Sequence, residues 1–197
     1  MKKLYLIVIL TVASVFGFAQ TNCDIMETLS QTAASMKCMN CRFIQQKTMA
    51  MLAEPTVSEG LMNYIAPDKM QWEYTTPFSF ALVVDGEKIT KITNGNEELL
   101  DAKSGRMYQG IVNIIMSSAT GKNLFDRSMF DVVITDDGDY WKAAMAPKKR
   151  DMKRMFSQLT FYFDKQNNVI SKVVMNEASG DVTTIQFFDM KINELCD

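Results

Sequence analysis

Four cysteines, Cys23, Cys38, Cys41 and Cys196, are the residues best suited to covalent chemistry in this chain. Cys38 and Cys41 form a Cys-x-x-Cys pair. Thiol oxidoreductases need the first cysteine of such a pair at a helix N-terminus, where the dipole favours the thiolate. Here the pair follows a helical pattern and precedes a strand-like one, which is the opposite polarity. A zinc site would need Cys23 and Cys196 as further ligands. In an oxidising compartment disulfides are expected instead, and three pairings are open. Cys38 with Cys41 is the local option; Cys23 with Cys196 would then tie the ends of the domain together. The chain has no histidine, which removes the usual general base, the commonest metal ligand and every histidine triad. Asp136, Asp137 and Asp139 are grouped as paired acids can be, but they flank a glycine turn where carboxylates are normally solvated. No catalytic residue, metal or cofactor is expected.

A second cluster is cationic. Lys148, Lys149, Arg150, Lys153 and Arg154 fall within seven residues, interrupted by Asp151 and Met152. A solvated hairpin loop would account for them. Alternatively, clustered Lys and Arg touch anionic head groups or an acidic partner, with Met152 and Met155 suited to shallow insertion. Lys2 and Lys3 precede the apolar run Leu4 to Phe18, and Gly17-Phe18-Ala19 fits a small-x-small cleavage pattern. Residues 1–19 therefore read as a signal peptide, and residues 20–197 as one exported domain. The run falls short of the roughly 20 residues of a spanning helix. Gln20-Thr21-Asn22 is too polar for a lipid-modification site at Cys23. Cleavage removes two positive charges and takes the formal net charge from −2 to −4, which argues against nucleic acid as a partner.

The elements that would position these residues follow from periodicity. Residues 24–37 read as a helix, with Asp24 as N-cap, Glu27 as its capping-box partner and Ile25, Leu29, Ala33 and Met36 on one face. Alternation then predicts strands over 42–51, 60–65, 70–75, 80–84 and 89–93. Ala66-Pro67-Asp68-Lys69 and Asp85-Gly86 supply turns. Met70, Trp72 and Tyr74 share one strand face. Asn94-Gly95-Asn96 opens a loop, and residues 110–125 read as helical pieces of a lid, with Ile111, Ile114, Ile115 and Met116 on one face. Strands resume over 130–135, 140–146, 156–163, 169–177 and 182–189, joined by Asp137-Gly138, Asn167-Asn168 and Ser179-Gly180. Many short strands with tight turns imply an antiparallel sheet that curls on itself. Hydrophobic residues make up 47% of the chain and 16 residues are Met. The flexible thioether suits surfaces that accept varied apolar shapes.

The stretch Phe43-Ile44-Gln45-Gln46-Lys47, followed by Gly60 through Tyr74 with Pro67 and Trp72, resembles the LolA family of outer-membrane lipoprotein carriers. The likeness continues through Pro77, Val84-Asp85-Gly86, Pro147-Lys148, Phe161-Tyr162-Phe163-Asp164 and Gly180. It implies a mainly β fold: a half-open antiparallel β-barrel covered by a helical lid, with an apolar cavity between. The cavity would be lined by Phe43, Met62, Tyr64, Met70, Trp72, Tyr74, Phe80, Leu82, Ile111, Ile114, Ile115 and Met116. The resemblance further implies a monomeric periplasmic carrier. It would take acylated lipoproteins from an inner-membrane transporter to an outer-membrane acceptor, without chemistry on the cargo. The family's proteobacterial members carry Arg before the turn proline, where it bonds to the lid. Ala66 stands there in this chain, and Met70 replaces a nearby large aromatic. Two other readings remain, a half-barrel for a different lipid and a periplasmic sensor or scaffold domain that binds protein.

Overall fold

Strand residues alternate between two faces, so a chain that alternates apolar with polar side chains folds into sheets with one dry side. The computed structural model describes residues 22–52, 54–100, 116–117, 125–194 and 196. Residues 22–34 form helix α1. Eleven strands follow: β1 (Cys38–Thr48), β2 (Thr56–Ile65), β3 (Lys69–Thr76), β4 (Phe80–Asp85), β5 (Lys88–Thr93), β6 (Asn96–Leu99), β7 (Phe130–Asp137), β8 (Tyr140–Pro147), β9 (Phe156–Asp164), β10 (Ile170–Glu177) and β11 (Val182–Ile192). A short helix α2 (Arg150–Met155) joins β8 to β9. The predicted signal segment and the lid residues Ile111, Ile114 and Ile115 lie outside the described residues.

All neighbours pair antiparallel, in the order β6-β5-β4-β3-β2-β1-β11-β10-β9-β8-β7. Two meanders therefore run outward from a central strand. β1 begins the first meander and pairs with β11, which ends the second. The sheet's two edges are β6 and β7, successive strands at mid-chain. The architecture is mainly β, an open eleven-stranded antiparallel sheet whose apolar face carries the core. Met26, Leu29, Ala33 and Met36 of α1 and its exit are buried in that core.

Several expectations are corrected. The helix already includes Asn22, so Asp24 is not its cap. Met26 is buried where Ile25 was expected to lead the face, and Ile25 is half-buried. Asn94-Gly95 opens no loop; it turns directly into β6. Both residues lie at positive φ, 51° and 79°, as a tight two-residue hairpin turn requires. The basic run is not a hairpin loop, because its second half is α2.

The cysteine pairing also differs from both bridges named above. Cys38 is joined to Cys196, with Cα atoms 5.4 Å apart, and Cys23 and Cys41 are free. Cys38 and Cys41 both lie in β1. Three residues of extended chain span about 10 Å, beyond the Cα separation a disulfide accepts. The β1–β11 pairing instead brings the chain's end beside Cys38. Met39 faces Ile192 in the ladder, and the Asn193 N–H donates to the Cys38 carbonyl at 2.9 Å. The Asn193 side-chain oxygen in turn accepts from the Lys37 N–H at 2.6 Å.

The bridge closes a loop with a sequence separation of 158 residues. Cys196→Ala is expected to lower unfolding free energy by about 2–5 kcal/mol, read from urea melts of the oxidised protein. Cys23→Ala should leave the midpoint unchanged.

Candidate functional site

The concave face is built row by row from ladder register. One row runs Phe187, Phe43, Gly60, Tyr74 and Phe80 across β11, β1, β2, β3 and β4. The next runs Cys41, Met62, Trp72 and Leu82, and a third runs Met39, Tyr64, Met70, Val84 and Ile89. Gly60 faces Phe43 and has no side chain to occupy the space between rows. The Phe43 ring fills it. An added Cβ at Gly60 would run into that ring and into the Glu73 carbonyl oxygen. Phe43 thereby reaches the diagonal Trp72, and the rings stack with centroids 3.9 Å apart. Tyr74 meets Phe43 edge-on at 5.3 Å and lies 5.9 Å from Phe80. Phe187 meets Trp72 edge-on at 6.2 Å.

The second meander continues the same surface. Leu159, Phe161 and Phe163 of β9 are buried, as are Met145, Val173, Met175 and Ile185. Ala143 and Phe161 are ladder partners, a small residue beside a large one. None of these positions is among the expected lining residues, although the alternation of Leu159, Phe161 and Phe163 marks them. Of the expected lining residues, Phe43, Met62, Tyr64, Met70, Trp72 and Leu82 are buried in one cluster, with Tyr74, Phe80 and Met116 packed against it.

Several polar groups on this face sit together where β1 ends. The Lys47 ammonium contacts the Glu177 carboxylate at 2.9 Å, and the Thr183 hydroxyl donates to the same carboxylate oxygen at 3.0 Å. The Tyr74 hydroxyl donates to the Gln45 side-chain oxygen at 2.9 Å. Burial pushes the Tyr74 hydroxyl's pKa upward. Each of these groups has its partner, whereas the buried Thr93 hydroxyl, in ladder register with Phe80, has none among the described residues.

Hollows bounded by described residues include two that the aromatic row does not line. One, about 460 Å³, lies on the convex side among Asn40, Arg42, Leu61, Asn63, Gln71 and Lys191. The other, about 350 Å³, lies between the start of α1 and β7, beside Cys23, Met26, Arg127 and Phe130. The concave side chains pack against one another and against α1.

The remaining candidates separate. Lys148 is held by Asp131 at 2.8 Å and donates to the Arg127 carbonyl at 2.8 Å. Lys149, Arg150, Lys153 and Arg154 are exposed on and beside α2. Asp136 pairs with Lys165 at 2.6 Å, and Asp136, Asp137 and Asp139 are all exposed. Asp126, beside the basic run, is held below the usual carboxylate range, first by hydrogen bonds from Ser128. Among the described residues no group of three or more Cys, Asp or Glu is placed to hold a metal. Also among them, no helix is long and apolar enough to cross a membrane. Ala66 is half-buried against the core, and its N–H donates to the Lys37 carbonyl at 2.7 Å.

Comparison with known proteins adds a family. The profile of the family described as outer membrane lipoprotein carrier protein LolA matches residues 34–197. An outer-membrane lipoprotein carrier protein of Methylobacillus flagellatus is 28% identical over 171 residues, covering 86% of this chain and 80% of the relative. Its counterpart in Pseudoalteromonas translucida is 23% identical over 170 residues, covering 86% and 78%. Among solved structures, the Pseudomonas aeruginosa MucA/MucB complex aligns with a TM-score of 0.53 at 11% identity, covering 87% of this chain and 56% of that one.

Two outcomes follow from this packing. Gly60→Ala should cost at least about 2 kcal/mol in a urea melt, because a rigid backbone carbonyl stands in the way as well as a ring. Burial pushes the Cys41 thiol from 9.0 to about 12. An unfolded Cys41 ionises near 9 while the folded one stays protonated. Its contribution is therefore full below pH 9 and is lost as pH rises from about 9 to about 12. Cys41→Ala should flatten the fall in stability across that window. Native protein alkylated at pH 8 should label at Cys23 and not at Cys41.

Proposed function

We propose a function from the premise that this chain belongs to the LolA family, a family of carriers and not of enzymes. The chain holds the acyl chains of lipoproteins against its concave face in the periplasm. It collects them from an inner-membrane transporter and yields them to an outer-membrane acceptor. The observation that carries this reading is the continuous apolar face, from Phe163 on one meander to Leu82 on the other. Acyl chains need no directional recognition. Each buried CH₂ contributes about 0.8 kcal/mol, so a fatty tail is retained by area alone.

The side chains suit such cargo. Met62, Met70, Met145 and Met175 are all buried on this face, and methionine re-packs around differing shapes more readily than branched residues do. In this reading the Phe43–Trp72 stack and the buried residues of α1 cover the face when cargo does not. Cargo then enters by replacing contacts between side chains with contacts to acyl chain, while the ladders stay intact. That exchange conserves apolar burial and keeps its cost low.

Native mass spectrometry of protein exported in a bacterial host and purified without detergent should find an acylated species that co-elutes. A triacylated peptide at about a hundred times its Kd should raise Tm by about 5 to 10 °C, and the same peptide without acyl chains should not. A protein that carries no lipid and ignores the acylated peptide would instead be a half-barrel that binds protein.

A further inference from the structure

Antiparallel order sends β1, β3, β8 and β10 to the same rim of the sheet. Their connections emerge there together: residues 49–52 and 54–55 after β1, 77–79 after β3, α2 after β8, and 178–181 after β10. Hydrogen bonds join three of these four connections. The Ala178 N–H donates to the Met155 carbonyl at 2.9 Å, which ties α2 to the β10–β11 turn. The Asp181 carboxylate accepts from the Ala50 N–H at 3.0 Å, which ties that turn to the β1–β2 connection.

Two properties of this rim are unusual for a protein surface. First, it displays large apolar side chains at its tips. Met51 is 96% exposed, Phe78 55%, Leu52 54% and Met155 36%. They come from three separate connections, so no single loop accounts for them. Second, it is cationic in an acidic protein. At 100° per helical residue, Arg150, Lys153 and Arg154 occupy one continuous arc, with Met152 on the opposite side packed against the core and Lys149 exposed at the N-cap. Lys149, Arg150 and Lys153 form no ion pair among the described residues, and Arg154 reaches only Asp151, at 3.9 Å. Of the acids nearby, Asp131 and Glu177 are neutralised by Lys148 and Lys47. Asp181 is engaged as above, Asp126 lies beside Lys149, and Glu54 and Asp151 are exposed. The opposite rim has the reverse character, with Asp85-Gly86-Glu87 and Asp136-Asp137-Gly138-Asp139 at its turns. Charge is therefore segregated along the barrel axis.

We propose that the α2 rim docks on the surface of an anionic phospholipid bilayer. Met51, Leu52 and Phe78 seat among the head groups, and the α2 cations lie against the lipid phosphates. Apolar tips beside a cationic arc match the two layers of a membrane interface, where neither attraction alone gives stable binding. An acidic protein partner would match the charges but leave the separate apolar tips without a role. Lys148 is excluded from the contact set, because Asp131 and the Arg127 carbonyl already hold it. The proposal does not depend on what the concave face carries.

The test is flotation of the oxidised chain, without its first 19 residues, on vesicles. Phosphatidylcholine alone is compared with phosphatidylcholine mixed with phosphatidylglycerol. Binding is expected on the anionic vesicles only and should disappear near 1 M salt, where the Debye length is about 3 Å. Replacing Lys149, Arg150, Lys153 and Arg154 with Gln should weaken binding by about fivefold per charge. Met51→Ser with Phe78→Ser should weaken it at unchanged charge. Leu61→Ser, on the convex face, should change nothing. All these positions are exposed, so circular dichroism should confirm folded variants. Wild-type protein that fails to float with anionic vesicles overturns the proposal, as does a quadruple Gln variant that floats as well as wild type. Co-purified acyl species in that quadruple variant would show that cargo binding stands or falls separately.

Discussion

The pairing of β1 with β11 is the constraint on which the rest of the structure depends. It joins the first strand of the chain to the last, and it turns two independent meanders into one sheet. Without it, each meander would present an unpaired inner strand and half an apolar face. The cost is entropic, because contacts between distant parts of the chain must form before local ladders can support them. The Cys38–Cys196 bridge lies at that seam, where the Asn193 side chain and backbone also hold the start of β1. Covalent and hydrogen-bonded restraints thus converge where loop closure is most demanding.

From that seam the concave face follows by register alone. Each ladder pair sets which residue is carried to the dry side of its neighbour, and a slip of one residue would turn the whole apolar set outward. Gly60 shows how tightly this is specified. Its missing side chain is the space that the Phe43 ring occupies, and that placement brings Phe43 onto Trp72. Where β1 ends, Lys47, Glu177 and Thr183 satisfy one another, and at the β5 end Lys91 pairs with Glu98. Between these polar ends the rows are apolar.

Much of this was legible in the chain because strand alternation is a local property. Met70, Trp72 and Tyr74 point inward as their spacing requires. The glycine turns at Asp85-Gly86, Asp137-Gly138 and Ser179-Gly180 fall where expected. What could not be read depends on distant partners. β6 is four residues, Asn96-Glu97-Glu98-Leu99, with no alternation of apolar and polar residues; only pairing with β5 makes it a strand. The bridge between Cys38 and Cys196 exists because two strands far apart in sequence are neighbours, which cysteine spacing does not reveal. The family likeness supplied the overall architecture that periodicity left open. It did not separate Lys148, spent on a local ion pair, from the four cations that remain available.

The sheet's edges also have a mechanical meaning. Among the described residues no ladder joins β6 to β7, and they lie at opposite ends of a single hydrogen-bonded series. Among the described residues, backbone bonds hold the seam and do not tie these two edges to each other. The disulfide sits at the seam, like the spine of a clasp. A change in girth would then be taken up by flexing the sheet rather than by breaking a ladder.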